Sequence, residues 1–173
     1  MLKNKTEIRA QIIGDGPERP GLERTAAALG ITDCVQFSGW LSREAVREAY
    51  QSATFLVHAS SYEGMSNVIL EALASGLPVI ASDIPENVEL INEDANGFLF
   101  DPAGDPAILA ERIAPLFQDQ PTWNRLSTAA RATIEKKFSW NHAADLYEKL
   151  LTEQPQIYAD KDQPRMDANG HES

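Results

Sequence analysis

The sequence predicts an α/β fold, a Rossmann-like parallel sheet with helices on both faces. Short apolar runs of strand length alternate with helical patterns along most of the chain, as they do where a crossover helix follows each strand. Most of these runs lack the alternation of apolar and polar residues that marks a half-exposed strand, so both faces of the sheet should be covered. With 173 residues, of which 43% are apolar, the chain has the length and composition of one globular domain.

The first strand and helix are predicted at the start of the chain. Residues 7–13 are rich in β-branched side chains and end at a turn, residues 14–17, whose proline suits the first turn of a helix. Leu22, Ala26 and Leu29 then recur at positions i, i+4 and i+7. This spacing predicts a helix that buries these three side chains.

The remaining elements continue the same alternation. Ser42 is a plain N-cap for the second helix, and Gly76 suits the left-handed residue that ends the third. The further strands are predicted at residues 34–37, 53–58, 77–82 and 97–100, and the further helices at residues 43–51, 67–75, 86–92, 106–117, 122–136 and 141–151.

The end of the chain differs in composition from the rest. Residues 153–173 contain five acidic and two basic residues and almost no aliphatic side chain to bury. Such a segment cannot offset the entropy cost of folding, so we expect it to be disordered. The predicted organisation is therefore one domain over residues 1–152 and an acidic tail over residues 153–173.

Charge and cysteine content exclude several classes of function. The formal net charge is −11, from 15 basic and 26 acidic residues, so no overall positive field would attract nucleic acid or an anionic membrane surface. The single cysteine, Cys34, cannot form an internal disulfide or a thiolate metal cluster. No apolar run has the length of a membrane-spanning helix, and no signal-peptide core follows Met1. We expect a soluble, cytoplasmic protein.

Two glutamates mark the candidate site. Glu71 lies inside the apolar run of the third helix, where an unpaired carboxylate would cost several kcal/mol. It should therefore reach hydrogen-bond donors, become protonated or lie at the rim of a cleft, although an ion pair or a frayed helix end would also explain it. Glu63 lies in the preceding loop, beyond the carboxyl end of a strand, where open α/β sheets bind ligands; simple solvation is its alternative.

Small residues at the start of the third helix suggest an anion site. Gly64, Met65, Ser66 and Asn67 lead into the helix, whose free N–H groups and dipole attract negative charge without any basic side chain. Together with the two glutamates, this segment predicts a crevice in which one carboxylate binds sugar hydroxyls, the helix end a pyrophosphate and the other carboxylate a ribose diol.

Five segments resemble, in order and spacing, the C-terminal half of glycosyltransferase family 4. The resemblance extends over about residues 7–152. The segments are Gly14-Asp-Gly-Pro17, Val35-Gln-Phe-Ser-Gly39, the stretch from Tyr62-Glu-Gly-Met-Ser-Asn to Val79-Ile-Ala-Ser-Asp83, Glu93-Asp-Ala-Asn-Gly-Phe-Leu-Phe100 and Phe138-Ser-Trp140. The resemblance implies the GT-B architecture, in which two Rossmann-like domains face a cleft. It also implies transfer of a sugar from a nucleotide-sugar donor to a glycan or lipid-linked acceptor, with retention of configuration and with neither a metal ion nor a cofactor.

The resemblance also implies a role for each candidate residue. The family signature of two glutamates separated by seven residues falls on Glu63 and Glu71, so Glu63 would contact the transferred sugar as the catalytic residue and Glu71 the ribose. The segment Gly39-Trp40-Leu41 would bind the base, mainly through its backbone. The sugar and pyrophosphate would be bound at Gly64, Met65, Ser66 and Asn67.

Some parts of the family pattern are absent from this sequence. The chain has neither the Gly-Arg nor the Lys-Gly dipeptide whose basic side chains hold the donor phosphates in the family. By this comparison we also expect the family's first strand and helix and its N-terminal acceptor domain to be missing. The alternative is therefore a noncatalytic fragment or a subunit completed by a partner that supplies the acceptor domain. Because the first strand is central in a doubly wound sheet, we also expect exposed apolar edges and self-association.

Other residues have structural explanations that we prefer. Arg19 stands where a dinucleotide fingerprint would need its third glycine. His58, at a strand end, should be a hydrogen-bonded residue at the rim of the site. Trp123 and Trp140 are expected to anchor the core or a domain interface.

Overall fold

The computed structural model describes residues 8–153. Helices and strands alternate along the first hundred of them, which confirms the predicted α/β class. The strands are β1 (Ala10–Ile13), β2 (Val35–Gly39), β3 (Leu56–His58), β4 (Val79–Ser82) and β5 (Gly97–Phe100). The α-helices are α1 (Arg19–Ala28), α2 (Arg43–Ser52), α3 (Asn67–Ala74), α4 (Pro85–Val88), α5 (Pro106–Ile113), α6 (Gln120–Lys137) and α7 (Trp140–Glu153), and short 3₁₀ helices cover Thr32–Cys34 and Ala114–Phe117.

The strands pair in parallel, as predicted, but they form two sheets rather than one. β1 pairs with β2, and β3, β4 and β5 pair in that order. Within the described residues, neither β1 nor β3 has a strand on its second side. In residues 8–153, no strand pairing joins the first two strands to the last three.

The small sheet is more exposed than the sequence predicts. All four residues of β1 are exposed, and the side chain of Ile12 is 37% accessible. In α1 only Ala26 of the predicted apolar face is buried, whereas Leu22 and Leu29 are exposed. The prediction that these side chains are buried is wrong, because a two-stranded sheet offers too little surface to cover them.

The core lies on the larger sheet. Every residue of β4 is buried, and Ile80 forms a cluster with Leu116 and Leu126. The rings of Phe55 and Phe117 meet edge to face with centroids 5.1 Å apart. Helix α6 and the segment after α5 therefore cover β4, which holds β3 and the loop after it in place.

Buried asparagine side chains fix the turns around this core. Asn96 donates hydrogen bonds to the Leu90 carbonyl at 3.0 Å and to the Thr133 hydroxyl at 3.1 Å. Asn87 donates to the carbonyl of Ser82 at 2.9 Å. Because the amide nitrogens of both residues donate to backbone or hydroxyl oxygens, the turns after β4 and before β5 are tied to the core, although Oδ1 of Asn87 has no hydrogen-bond partner in the described residues.

The chain divides into two compact units, one ending at Lys136 and one beginning at Lys137. In the first unit, the indole of Trp123 donates to the Thr54 carbonyl at 2.6 Å and so joins α6 to the segment before β3. In the second unit, Trp140 is 91% exposed, so it does not lie in the core; its other expected role, at a domain interface, stays a prediction. The predicted disorder of residues 153–173 lies outside the described residues, apart from Glu153, which ends α7.

Candidate functional site

The loop between β3 and α3 contains Glu63. β3 ends at His58, and the imidazole Nε2 of His58 lies 2.9 Å from Oε1 of Glu63. The same nitrogen lies 3.3 Å from the hydroxyl of Ser66. The loop glutamate is therefore held by a strand residue and is not a simply solvated side chain.

Ser66 caps the helix that follows. Its hydroxyl accepts a hydrogen bond from the amide of Ile69 at 3.4 Å, and the residue is 2% exposed. A cap of this kind satisfies one of the four free N–H groups at a helix start and leaves others facing outward. Asn67, the first residue of α3, and the preceding Gly64 and Met65 are exposed. The predicted anion site is thus an accessible helix start beside Glu63.

The loop is also attached to the core strand. The hydroxyl of Ser82, at the end of β4, donates to the Ser60 carbonyl. The Ser60 hydroxyl in turn donates to the Tyr62 carbonyl at 2.8 Å. Because Ser82 is fully buried and bonded to Asn87, these contacts connect the loop to the rigid part of the fold.

A cavity of about 620 Å³ lies between α2 and α3. Its walls combine one face of α2 with the C-terminal half of α3, and its lining includes two of the predicted site residues, Leu41 and Glu71. The other lining residues are Arg43, Glu44, Val46, Arg47, Tyr50, Ala74 and Ser75. This volume is within the range of small-molecule sites, about 300–1,000 Å³.

Glu71 is exposed at this cavity and faces Tyr50 of α2. Partial burial, the negative charge of Glu71 and a hydrogen bond between the two side chains together raise the pKa of Tyr50 from its usual 10.0 to about 12. The phenol and the carboxylate therefore interact at this cavity. Of the alternatives predicted for Glu71, the structure shows the rim of a cleft, and the side chain is exposed there rather than packed among the apolar residues of α3.

The predicted base-binding segment has two different environments. Gly39 is buried, with φ of 64°, a conformation that favours glycine, and its carbonyl accepts from the amide of Gly14 at 2.8 Å. Trp40 is 82% exposed, whereas Leu41 lines the cavity. The turn therefore directs one of its two side chains toward the cavity.

The structure thus places the predicted residues in two neighbouring groups. Glu63 and Ser66 meet at His58, at the start of α3, whereas Leu41 and Glu71 share the cavity with Tyr50. Sequence reasoning missed Tyr50 altogether. The available signal was the helical spacing of Arg43, Val46, Arg47 and Tyr50, which places these residues on one face of α2.

Three further observations concern residues 8–153. A smaller cavity of about 200 Å³ lies beside α5, where Arg112 is already paired with Glu93. Within this part of the chain, no group of three or more histidine, cysteine, aspartate or glutamate residues is arranged to hold a metal ion. No helix in it is both long and apolar enough to cross a membrane.

Comparison with known proteins identifies relatives that match most of the chain. Residues 1–133 match the model of the family described as glycosyl transferases group 1. The chain is 31% identical over 144 residues to the lipopolysaccharide core biosynthesis glycosyltransferase LpsE of Rhizobium meliloti (strain 1021), an alignment that covers 83% of this chain and 42% of that protein. It is 34% identical over 146 residues to the sulfoquinovosyl transferase SQD2 of Arabidopsis thaliana, with coverage of 83% and 28%.

Solved structures show the same fold. Anabaena HepE in complex with UDP-glucose superposes with a TM-score of 0.72 at 25% identity, covering 83% of this chain and 41% of that one. The C-terminal domain of a glycosyl transferase group 1 family protein, LpcC of Francisella tularensis, also gives a TM-score of 0.72 at 25% identity, with coverage of 80% and 74%. The chain spans less than half the length of the two curated relatives named above, but most of that isolated C-terminal domain.

Proposed function

The chain belongs to the group 1 glycosyl transferases, and from that premise we propose that it is the donor-binding domain of a retaining, metal-independent glycosyltransferase of family 4 with the GT-B architecture. Its donor is a UDP- or GDP-sugar, and the sugar goes to a glycan or lipid-linked acceptor. The observations that carry the proposal are the cavity of about 620 Å³ that Glu71 and Leu41 line and the accessible start of α3 beside Glu63. HepE, a structural neighbour, has been crystallised with UDP-glucose.

The nucleoside occupies the cavity between α2 and α3. The backbone of residues 39–41 contacts the base, and the exposed ring of Trp40 is available to flank it. The carboxylate of Glu71 accepts hydrogen bonds from the two ribose hydroxyls. A carboxylate suits this task because its two oxygens only accept, and both hydroxyls of a diol can donate.

The pyrophosphate lies at the start of α3, near the amides of Gly64, Met65 and Ser66 and beside Asn67. The helix dipole and the free N–H groups stabilise negative charge there, including the charge that develops on the departing nucleotide diphosphate. This arrangement suits a chain with a net charge of −11, because it needs no basic side chain.

Glu63 binds the transferred sugar as the catalytic residue. His58 occupies Oε1 of Glu63, which leaves the other oxygen free to accept a hydrogen bond from a sugar hydroxyl. The contribution of the protein to the reaction is then positioning and electrostatic stabilisation rather than a covalent step on Glu63. The acceptor is bound by an acceptor domain, on this or another polypeptide.

Calorimetric titration of the chain with UDP, GDP and their sugars tests this proposal. We expect saturable binding of one nucleotide, weakened about tenfold by Glu71→Gln because a charged acceptor is lost. Glu48→Gln is the matched control, since Glu48 is exposed on α2 and is not among the lining residues of the cavity. Absence of binding to both nucleotides, or equal affinities of the wild type and Glu71→Gln, would contradict the proposal.

A further inference from the structure

The guanidinium of Arg19 joins the turn at residues 14–17 to the end of β2, and the proposed function gives it no role. Its Nη2 donates to the carbonyl of Phe37 in β2 at 3.2 Å, and its Nη1 lies 3.1 Å from Oδ2 of Asp15 in the turn. The guanidinium carbon also lies 5.9 Å from the centroid of the Phe37 ring. One side chain therefore bridges the turn that precedes α1 and the strand that ends at Gly39.

The bridge is itself held in place. Nε of Arg19 lies 2.8 Å from Oε1 of Glu23, one turn further along α1. Oδ1 of Asp15 accepts a hydrogen bond from the amide of Gly16 at 2.8 Å. A Cβ atom on Gly39 would lie 3.5 Å from Nη1 of Arg19, so the guanidinium packs directly against the glycine that begins the predicted base-binding segment. The side chain of Arg19 is only 32% exposed.

The backbone of Trp40, the next residue, remains free to bind a ligand. The carbonyl of Phe37 is occupied by Arg19. The carbonyl of Gly39 accepts from the amide of Gly14 at 2.8 Å. Neither the amide nor the carbonyl of Trp40 has a hydrogen-bond partner among the described residues. A base that meets this segment therefore finds one donor and one acceptor, on a residue whose predecessor is held by both the turn and the guanidinium.

Backbone groups can distinguish bases only if their directions are fixed. Uracil presents an acceptor at O4 beside a donor at N3, whereas cytosine presents a donor at N4 beside an acceptor at N3. Guanine and adenine differ in the same way at their corresponding positions. A mobile segment could rotate its peptide groups to suit either pattern, because each pattern contains one donor and one acceptor. Selectivity through the backbone therefore depends on the contacts that hold the segment before the ligand arrives.

We propose that Arg19 is a positioning residue, which fixes the backbone of residues 39–41 and thereby makes the donor site prefer uracil or guanine over cytosine or adenine. This inference rests on the proposed function, because it needs a nucleotide base at this segment. A purely structural Arg19 has a different consequence, since its loss would weaken the binding of all nucleotides by the same factor.

The test compares UDP with CDP by calorimetry on the full chain, or GDP with ADP if the wild type binds GDP. In Arg19→Gln the ratio of the two affinities should fall about fivefold, the effect of one hydrogen bond. Arg19→Lys keeps the charge but not the planar fork that reaches two oxygens, so it should show the same loss. Arg24→Gln is the matched control and should keep the ratio, because Arg24 is exposed on the same helix and its guanidinium lies beside Gly21 of that helix.

Three results would overturn the inference while the proposed function stands: an unchanged ratio in Arg19→Gln, a ratio fully restored in Arg19→Lys, or a wild type that binds both nucleotides of the pair equally. If the wild type binds neither UDP nor GDP, the proposed function fails and the inference fails with it.

A second measurement needs no ligand. Amide hydrogen exchange should be faster at residues 39–41 in Arg19→Gln than in the wild type, and unchanged in the buried strand β4. Unchanged exchange at residues 39–41, or equal acceleration in β4, would also overturn the inference.

Discussion

The imidazole of His58 joins the end of β3 to Glu63, with Nε2 of the histidine 2.9 Å from Oε1 of the glutamate. Because the same nitrogen lies 3.3 Å from the Ser66 hydroxyl, one ring contacts both the loop carboxylate and the cap of α3. The side chain that we assign to the sugar and the helix end that we assign to the pyrophosphate are therefore held in a fixed relation by a strand residue.

Removal of the His58 imidazole should weaken binding of the nucleotide sugar more than binding of the free nucleotide. In His58→Ala, Glu63 loses its anchor, so any extra affinity of the nucleotide sugar over the free nucleotide should fall about fivefold, as expected for one hydrogen bond. Affinity for the free nucleotide should stay within about twofold. Calorimetry with both ligands measures this difference, with His142→Ala in α7 as control. A uniform loss of affinity for both ligands would show that His58 acts only on the fold.

Gly97 should not tolerate even a methyl group. A Cβ at this position would overlap the backbone carbonyl of Val79 in the buried strand β4, and a backbone atom cannot move aside as a side chain can. Gly97→Ala should therefore lower the free energy of unfolding by about 2 kcal/mol or more, measured by denaturant titration. Gly16→Ala is the control, because a Cβ there meets no atom within 4 Å. Equal stabilities of the two variants would contradict the close packing of β4 and β5.

The burial of Tyr50 beside Glu71 should make stability depend on pH in the alkaline range. The pKa of Tyr50 is raised from 10.0 to about 12, so between these values the folded state keeps a proton that the unfolded state releases. The contribution of Tyr50 to the free energy of unfolding is fully present below about pH 10 and is lost as the pH rises toward 12. The free energy of unfolding should fall less steeply over this range in Tyr50→Phe than in the wild type. Parallel curves for the two proteins would contradict the raised pKa of Tyr50.

The open edges of the sheets should make the chain self-associate. β1 and β3 each pair on one side only in the described residues, and β1 exposes apolar side chains, including Ile12. Unpaired apolar edges are templates for strand pairing between molecules. Sedimentation velocity should show concentration-dependent association that Ile12→Lys reduces and Ile108→Lys, on α5, does not. A compact monomer at every concentration would contradict this expectation.

Local signals predicted individual elements well. The residues of β5, Gly97–Phe100, were predicted without error, and Ser42 and Gly76 cap α2 and α3 as expected. These predictions depend on turn, cap and periodicity signals that lie within a few residues of the element concerned. Burial was predicted less well: Leu22 and Leu29 have the right spacing for a core face, but their exposure depends on how many strands lie beneath α1.

The candidate site was also predicted only in part, because local signals identify residues that are close in sequence but not residues that packing brings together. Glu63 and Ser66 lie on one continuous segment, so their proximity to the start of α3 could be predicted from the loop and the cap. The partner of Glu71 could not, because Tyr50 comes from the preceding helix and meets it only through the packing of α2 beside α3. The separation of the residues that meet at His58 from those that line the cavity also depends on how the helices pack, so the sequence could not predict it.

Amide hydrogen exchange, with and without the nucleotide sugar, tests most directly whether the donor binds where we place it. We predict that the ligand slows exchange at residues 39–50 and 64–71, which contribute the turn, the cavity walls and the start of α3. Slower exchange confined to residues 99–112, around the smaller cavity, or no change in either region, would contradict it.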